Sequence, residues 1–229
     1  MTTRVYLIRH GATDLSSEDR FSGGTDVDLS TTGRWQAERL AVRLADDRLT
    51  AVYCSPMRRT VETAAIIGRP HGLTPIVKND LREIHHGRWE TMRRADVEAN
   101  FPEEYAAWQS DPFTFAPEGG ESGLSVMARA LPVLREVVVK HAGENIALVS
   151  HKATIRLLIS SVLGFDARGY RDRLDQSPAC LNILDFRDPV HARLMLFNDV
   201  SHYVDQPPNP EHRLSKVWDA QQTDIKPEA

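Results

Sequence analysis

Val5-Tyr6-Leu7-Ile8 is an unbroken run of β-forming apolar residues that stops abruptly at Arg9-His10-Gly11. A strand with no polar alternation is buried on both faces, as in a parallel sheet covered by helices. The charged residues that end it then stand at a carboxyl edge, where open α/β sheets bind ligands. The pattern recurs twice. Ala51-Val52-Tyr53-Cys54 gives way to Ser55-Pro56, and the run from Asn145 to Val149 gives way to Ser150-His151.

Helices fill the spaces between these strands. A polar loop from Ala12 to Asp28 contains Gly23-Gly24. Ser30 or Thr31 then caps a helix to about Asp47, with Ala37, Leu40, Ala41 and Leu44 on one face. Ser55-Pro56 reads as a cap and a first-turn proline, opening a helix that stops at Gly68. Another helix runs from about Lys152 to Leu163 and closes at Gly164. The runs Cys180–Phe186 and Arg193–Phe197 flank Asp188-Pro189 and predict an antiparallel hairpin. The expected fold class is α/β, three-layer α/β/α, with a mostly parallel central sheet.

Two irregular regions remain. Between Arg88 and Asp111 a helical pattern is broken by Pro102, which predicts two short helices over the sheet's end, within a small helical cap spanning roughly 88–120. Pro132 falls inside the helical stretch Ser122–His141 and must kink it or start a new helix. One domain is expected over 1–205, and the proline-rich remainder, 206–229, reads as an irregular tail.

The 229 residues are 41% hydrophobic and 26% charged, enough for one core without staples. Lys and Arg total 28 against 32 Asp and Glu, a net charge of −4, so no basic field gathers nucleic acid or an anionic membrane. No run of 18 apolar residues suggests a spanning helix. The start of the chain lacks a signal-peptide shape, and two cysteines, Cys54 and Cys180, are too few for a disulfide framework. A cytoplasmic location is expected. Homo-oligomerisation is left open.

Three strand ends deliver Arg9, His10, Arg59 and His151 to one edge. Each alone has a bland explanation: a histidine after a strand is usually structural, and Arg59 could pair with Glu62 or Glu38. Their coincidence at equivalent topological positions is what points to an anion site. Gly11 allows close backbone approach, Gly23-Gly24 offers amide donors, and Thr13 and Ser22 add hydroxyls. P-loop spacing, His-Glu-x-x-His and acidic metal clusters are absent, so neither metal nor cofactor is expected. His85-His86 gives no metal site, because neighbouring residues point different ways.

Leu7-Ile8-Arg9-His10-Gly11-Ala12-Thr13 resembles the Arg-His-Gly signature of the histidine phosphatase superfamily, in its cofactor-dependent phosphoglycerate mutase-like branch. The likeness continues through Arg20–Ser30, Gly33, Gln36-Ala37, Ser55–Thr60, Thr63-Ala64, Leu81–Ile84 with Gly87, Trp89 and Glu90, Gly119–Ser122 and Leu148–His151. It implies that His10 is the nucleophile, that Arg9, Arg59 and His151 bind the phosphoryl group, and that Glu83 is the proton donor. Arg59 is chosen over Arg58 because the family's arginine lies four residues before the Thr of Thr-Ala, here Thr63. Without the likeness, Glu83 would read as an exposed partner of Arg82 or Arg88.

The sequence departs from the family twice. Asp14-Leu15-Ser16-Ser17 stands where an asparagine often touches phosphate, and Lys152 follows the second histidine where glycine is common; its ammonium joins the anion site or points to solvent. Only 68 positions separate Glu83 from His151, whereas the family's glycolytic mutases carry a longer insertion there. The expected activity is therefore metal-independent hydrolysis of a small phosphorylated metabolite through phosphohistidine. The alternatives are mutase-type phosphoryl transfer and a non-catalytic phospho-ligand module. In the cap, among Trp89, Met92, Phe101, Tyr105 and Trp108, Arg93 and Arg94 either meet a second anionic group or are solvated helix charges.

Overall fold

The computed structural model describes residues 1–17 and 20–203. The expected tail at 206–229 lies outside the described residues. Six strands, β1 (Thr3–Arg9), β2 (Ala51–Cys54), β3 (Ile76–Val77), β4 (Asn145–Ser150), β5 (Leu181–Phe186) and β6 (Ala192–Asp199), form one sheet in the order β3-β2-β4-β1-β5-β6. The first four are mutually parallel, while β5 runs antiparallel to both β1 and β6.

Alternation along the central strands separates two cores. Val5, Leu7, Ile146 and Leu148 face α5 (Gly123–Lys140) and α6 (Lys152–Leu163), whose Val133, Leu134, Val137, Ile155 and Ile159 pack on them. Tyr6, Ile8, Ala147 and Val149 face α1 (Thr31–Leu44) and α2 (Arg58–Gly68), which contribute Leu40, Leu44, Ala64 and Ile67. The result is a three-layer α/β/α domain. Because both sheet faces are covered, the strands read as continuous apolar runs.

Most element bounds match the sequence reading within a few residues. Ser30 caps α1 by accepting from Gly33 N–H, though the helix ends at Leu44, short of Asp47. Ser55 does not cap α2: the N-cap is Met57, without a side-chain hydrogen bond. Helix α5 continues through Pro132 rather than restarting there. The two-residue β3 gave no sequence signal.

Over the carboxyl edge lie α3 (Arg94–Asn100) and α4 (Pro102–Ser110), divided at Phe101-Pro102. Their Val97, Tyr105 and Trp108 join Phe21 and Trp89 in a separate aromatic core. An isolated antiparallel bridge between Arg20 and Arg93 ties this cap to the loop after β1. The four-residue helix α7 (Tyr170–Arg173) closes the same end. Among the described residues, no helix is long and apolar enough to cross a membrane.

Candidate active site

Pairing of β1 with β4 sets Arg9 opposite Ser150, and the His10 amide donates to the Ser150 carbonyl at 3.1 Å. His10 and His151 therefore leave adjacent strands side by side, their ring centroids 5.2 Å apart, edge to face. Nδ1 of His10 lies 2.7 Å from the Gly11 carbonyl, which can only accept, so Nδ1 carries the hydrogen. Nε2 keeps its lone pair. Burial, then the Arg59 and Arg9 charges, hold His10 well below the ordinary histidine range, so the ring is neutral.

His151 is fully buried, and its Nε2 lies 2.8 Å from the Ser55 hydroxyl. That hydroxyl has no other acceptor among the described residues, so it donates to Nε2 and leaves the ring hydrogen on Nδ1. Nδ1 is enclosed and unpartnered beside His10. Burial and Arg59 also keep His151 neutral. His151 is therefore a neutral ring with one unspent N–H donor.

The arginines are held by backbone carbonyls. Arg9 donates from Nη1 to Gln176 O at 2.7 Å, and its Nε is enclosed without an acceptor. Arg59 donates to Thr25 O at 2.8 Å and Gly23 O at 3.1 Å. Neutral carbonyls fix both guanidinium groups without cancelling their charge. Arg58, by contrast, is exposed and pairs with Asp26 and Asp28.

Two glycine expectations need correction. The amides of Gly23 and Gly24 are not free for an anion, because both donate to Glu90 Oε1, at 3.1 and 2.9 Å. Gly23 is required instead by contact: a Cβ there would meet the Ile84 carbonyl at 1.6 Å. Gly11 likewise does not line the cleft; its amide donates to Thr63 Oγ1 at 3.3 Å. A Cβ on Gly11 would meet the Gly33 carbonyl at 2.3 Å, where the loop crosses the start of α1.

Glu83 lies in the cleft, away from Arg88, which pairs with Glu104 and Glu118. Its Oε1 accepts from the amides of Ile84 and Thr154 at 3.0 and 3.2 Å, and from Thr154 Oγ1 at 3.2 Å. Among the described residues Oε2 accepts only from the Ala153 amide, at 3.0 Å, which leaves it one unfilled acceptor position. The carboxyl group thus receives the first free amides of α6. Its loop is fastened by Arg129, which donates to the carbonyls of Asp80, Arg82 and Glu83, and by Ser150, which donates to Leu81 O at 2.7 Å.

These groups surround a cleft of about 1020 Å³, counting its mouth open to solvent; His151 is not in its lining and lies fully buried beside His10. Arg9, His10, Thr13, Ser22, Arg59, Glu83 and Lys152 line it. Leu15, from the stretch that replaces the family's asparagine, lines it too. Burial, then Arg156 and Arg9, lower Lys152 to about 7. Arg93 and Arg94 are not part of the lining. In their place stand Arg20, Arg156 and Arg171, which the sequence reading did not single out. A lone arginine among the apolar residues of α6 was the available signal for Arg156. His86 faces the cleft beside Phe21, whereas the His85 ring accepts from the Gly87 amide.

A neutral imidazole under two carbonyl-anchored guanidinium groups, with a carboxyl group lining the same cleft, is an arrangement suited to phosphoryl transfer through histidine. The model of the histidine phosphatase superfamily (branch 1) matches residues 5–200, and the chain belongs to that family. It is a phosphomonoester hydrolase of the histidine-phosphatase type. The phosphoserine phosphatase 1 of Hydrogenobacter thermophilus is 34% identical over 163 residues, 71% of this chain and 77% of its own. The glucosyl-3-phosphoglycerate phosphatase of Mycolicibacterium vanbaalenii is 35% identical over 168 residues, 70% of this chain and 74% of its own. Among solved structures, Bacillus stearothermophilus YhfR superposes with a TM-score of 0.81 at 30% identity, covering 87% of this chain and 98% of that one.

Proposed function

We propose that His10 Nε2 attacks the phosphorus of a small phosphomonoester. The N–P bond forms as the ester P–O bond breaks, and the leaving oxygen takes a proton from Glu83 Oε2. Water then attacks phosphohistidine, returns a proton to Glu83 and releases orthophosphate. Arg9 and Arg59 face the equatorial oxygens with planar forks suited to them. The Nδ1–H of His151 meets the phosphoryl group as its charge spreads, where a fixed donor is worth most. One observation carries this reading: the Gly11 carbonyl fixes the hydrogen of His10 on Nδ1, leaving Nε2 unprotonated among cations.

Hydrolysis rather than mutase transfer is supported by the modest cap, two helices of seven and nine residues over a cleft open to solvent. A mutase must hide its intermediate from water. The phosphatase names of the relatives agree with this reading.

The test is incubation with p-nitrophenyl phosphate, followed by trapping of acid-labile, base-stable phosphate on the protein. Wild type labels and turns over; His10→Ala does neither, and full turnover by that variant overturns the proposal. Chelators are expected to leave the rate unchanged, and a strict requirement for added divalent metal contradicts it.

A further inference from the structure

One wall of the cleft carries charge that the hydrolysis just described does not use. Lys152 and Arg156 stand one turn apart on α6, and Arg171 lies on α7; all three line the cleft. Asp175 bridges the first two, at 3.5 Å from Lys152 Nζ and 3.2 Å from Arg156 Nη2. Arg171 pairs with Asp172 at 3.2 Å, lies 4.4 Å over the Trp108 ring, and donates to the carbonyls of Trp108 and Gln109. The cap and the main domain therefore share this wall.

Arg156 stands out. It is 7% exposed, and its Nε is enclosed with no acceptor among the described residues. Burying a guanidinium with an unmet donor is costly, and its neighbours Ile155, Leu157, Leu158 and Ile159 offer no compensation. Packing alone would have favoured an aliphatic residue at this position. Arg156 lines the cleft, so an anion bound there meets its guanidinium and offsets that cost.

Charge selects the ligand. With Lys152 protonated, three cations face two carboxylates, leaving one net positive charge on the wall. A carboxylate balances that charge; a dianionic phosphate would exceed it. The planar fork of arginine also matches a carboxylate.

We propose that Lys152, Arg156 and Arg171 form a second anion subsite, which takes a carboxylate carried by the same molecule whose phosphate meets His10. The substrate class is then a phosphorylated carboxylic acid. This rests on the reading of His10 and Glu83 given above and moves Lys152 from the phosphoryl pocket to the adjoining wall.

The test compares kcat/KM for 3-phosphoglycerate, for glycerol 3-phosphate, in which a hydroxymethyl group replaces the carboxylate, and for glycerol bisphosphate, with phosphate trapping on His10 run alongside. Wild type should prefer 3-phosphoglycerate over glycerol 3-phosphate by about 10- to 100-fold, the range of one charged hydrogen-bonded pair. Arg156→Gln should collapse that ratio, mainly through KM, and Arg156→Lys should retain part of it. A wild-type ratio near one, or a ratio unmoved in Arg156→Gln, overturns the subsite even if the variant Arg156→Lys does not fold. Preference for the bisphosphate overturns the carboxylate assignment. Failure of wild type to form phosphohistidine with any of the three substrates sinks the underlying mechanism instead, so the two failures are distinguishable.

Discussion

Burial makes both imidazoles usable. In water each would be partly protonated near neutral pH, and a protonated His10 has no lone pair to attack with. The two rings are distinguished by their partners: a carbonyl fixes the hydrogen of His10 on Nδ1, and a hydroxyl fixes that of His151 on its Nδ1. Ser55 is the group that sequence reasoning misjudged. A Ser-Pro pair before a helix looks like a cap, but the chain places the helix start two residues later and spends the hydroxyl on His151. Nothing local distinguishes the two uses, because the partner is 96 residues away. Ser55→Ala should leave His151 free to turn and to place its hydrogen on either nitrogen. Losing one such positioning hydrogen bond corresponds to about a 10-fold fall in the single-turnover rate of His10 phosphorylation, with about 1 kcal/mol of stability lost because the buried Nε2 is left unpaired. An unaltered phosphorylation rate would remove Ser55 from the mechanism.

The loop after β1 shows how an element is built around a charge. Glu90 accepts from the amides of Gly23, Gly24, Thr25 and His86 and from the Thr25 hydroxyl. Burial alone would raise its pKa, but these donors outweigh it and hold the carboxyl below its ordinary value. The turn so fixed aims the Gly23 and Thr25 carbonyls at Arg59. The Gly-Gly pair was legible as a place where amides gather, but the sequence did not reveal that their acceptor is internal. Glu90→Ala leaves several part-buried donors unmet and should cost about 2 kcal/mol of stability. Because Arg59 loses its anchors, binding of inorganic phosphate should weaken by about 10-fold as well. Calorimetric titration and thermal melting measure the two effects. Loss of stability with phosphate affinity intact would mean that the turn does not position Arg59.

At the scale of the molecule, what was legible followed from periodicity and what was not depended on distant pairing. Continuous apolar strands, helices on both faces and the final hairpin all follow from local pattern. The two-residue β3 and the charged wall arise where remote segments meet. The same long-range assembly stores a dependence on pH. His10, His86, His151 and His202 each have a folded pKa below the ordinary histidine value, chiefly through burial, with His202 lowered to about 4. An unfolded chain binds protons at these rings near pH 6.5, whereas the folded one refuses them until lower pH. The stability that neutral rings contribute is therefore complete above about pH 6.5 and is lost as pH falls toward the folded values. Glu90 acts with the same sign at lower pH, since its depressed carboxyl favours the folded state only while ionised. Melting temperature should thus fall steadily from pH 7.5 to pH 5, and unfolding at about pH 5.5 should take up protons, visible as a buffer-dependent enthalpy. Inorganic phosphate should raise the melting temperature at pH 7.5, because it binds the folded cleft alone; at about 100 times its dissociation constant the gain is about 2.7 kcal/mol. A melting temperature flat across this pH range would show that these rings are not held neutral, and with that the unprotonated Nε2 of His10 would lose its physical basis.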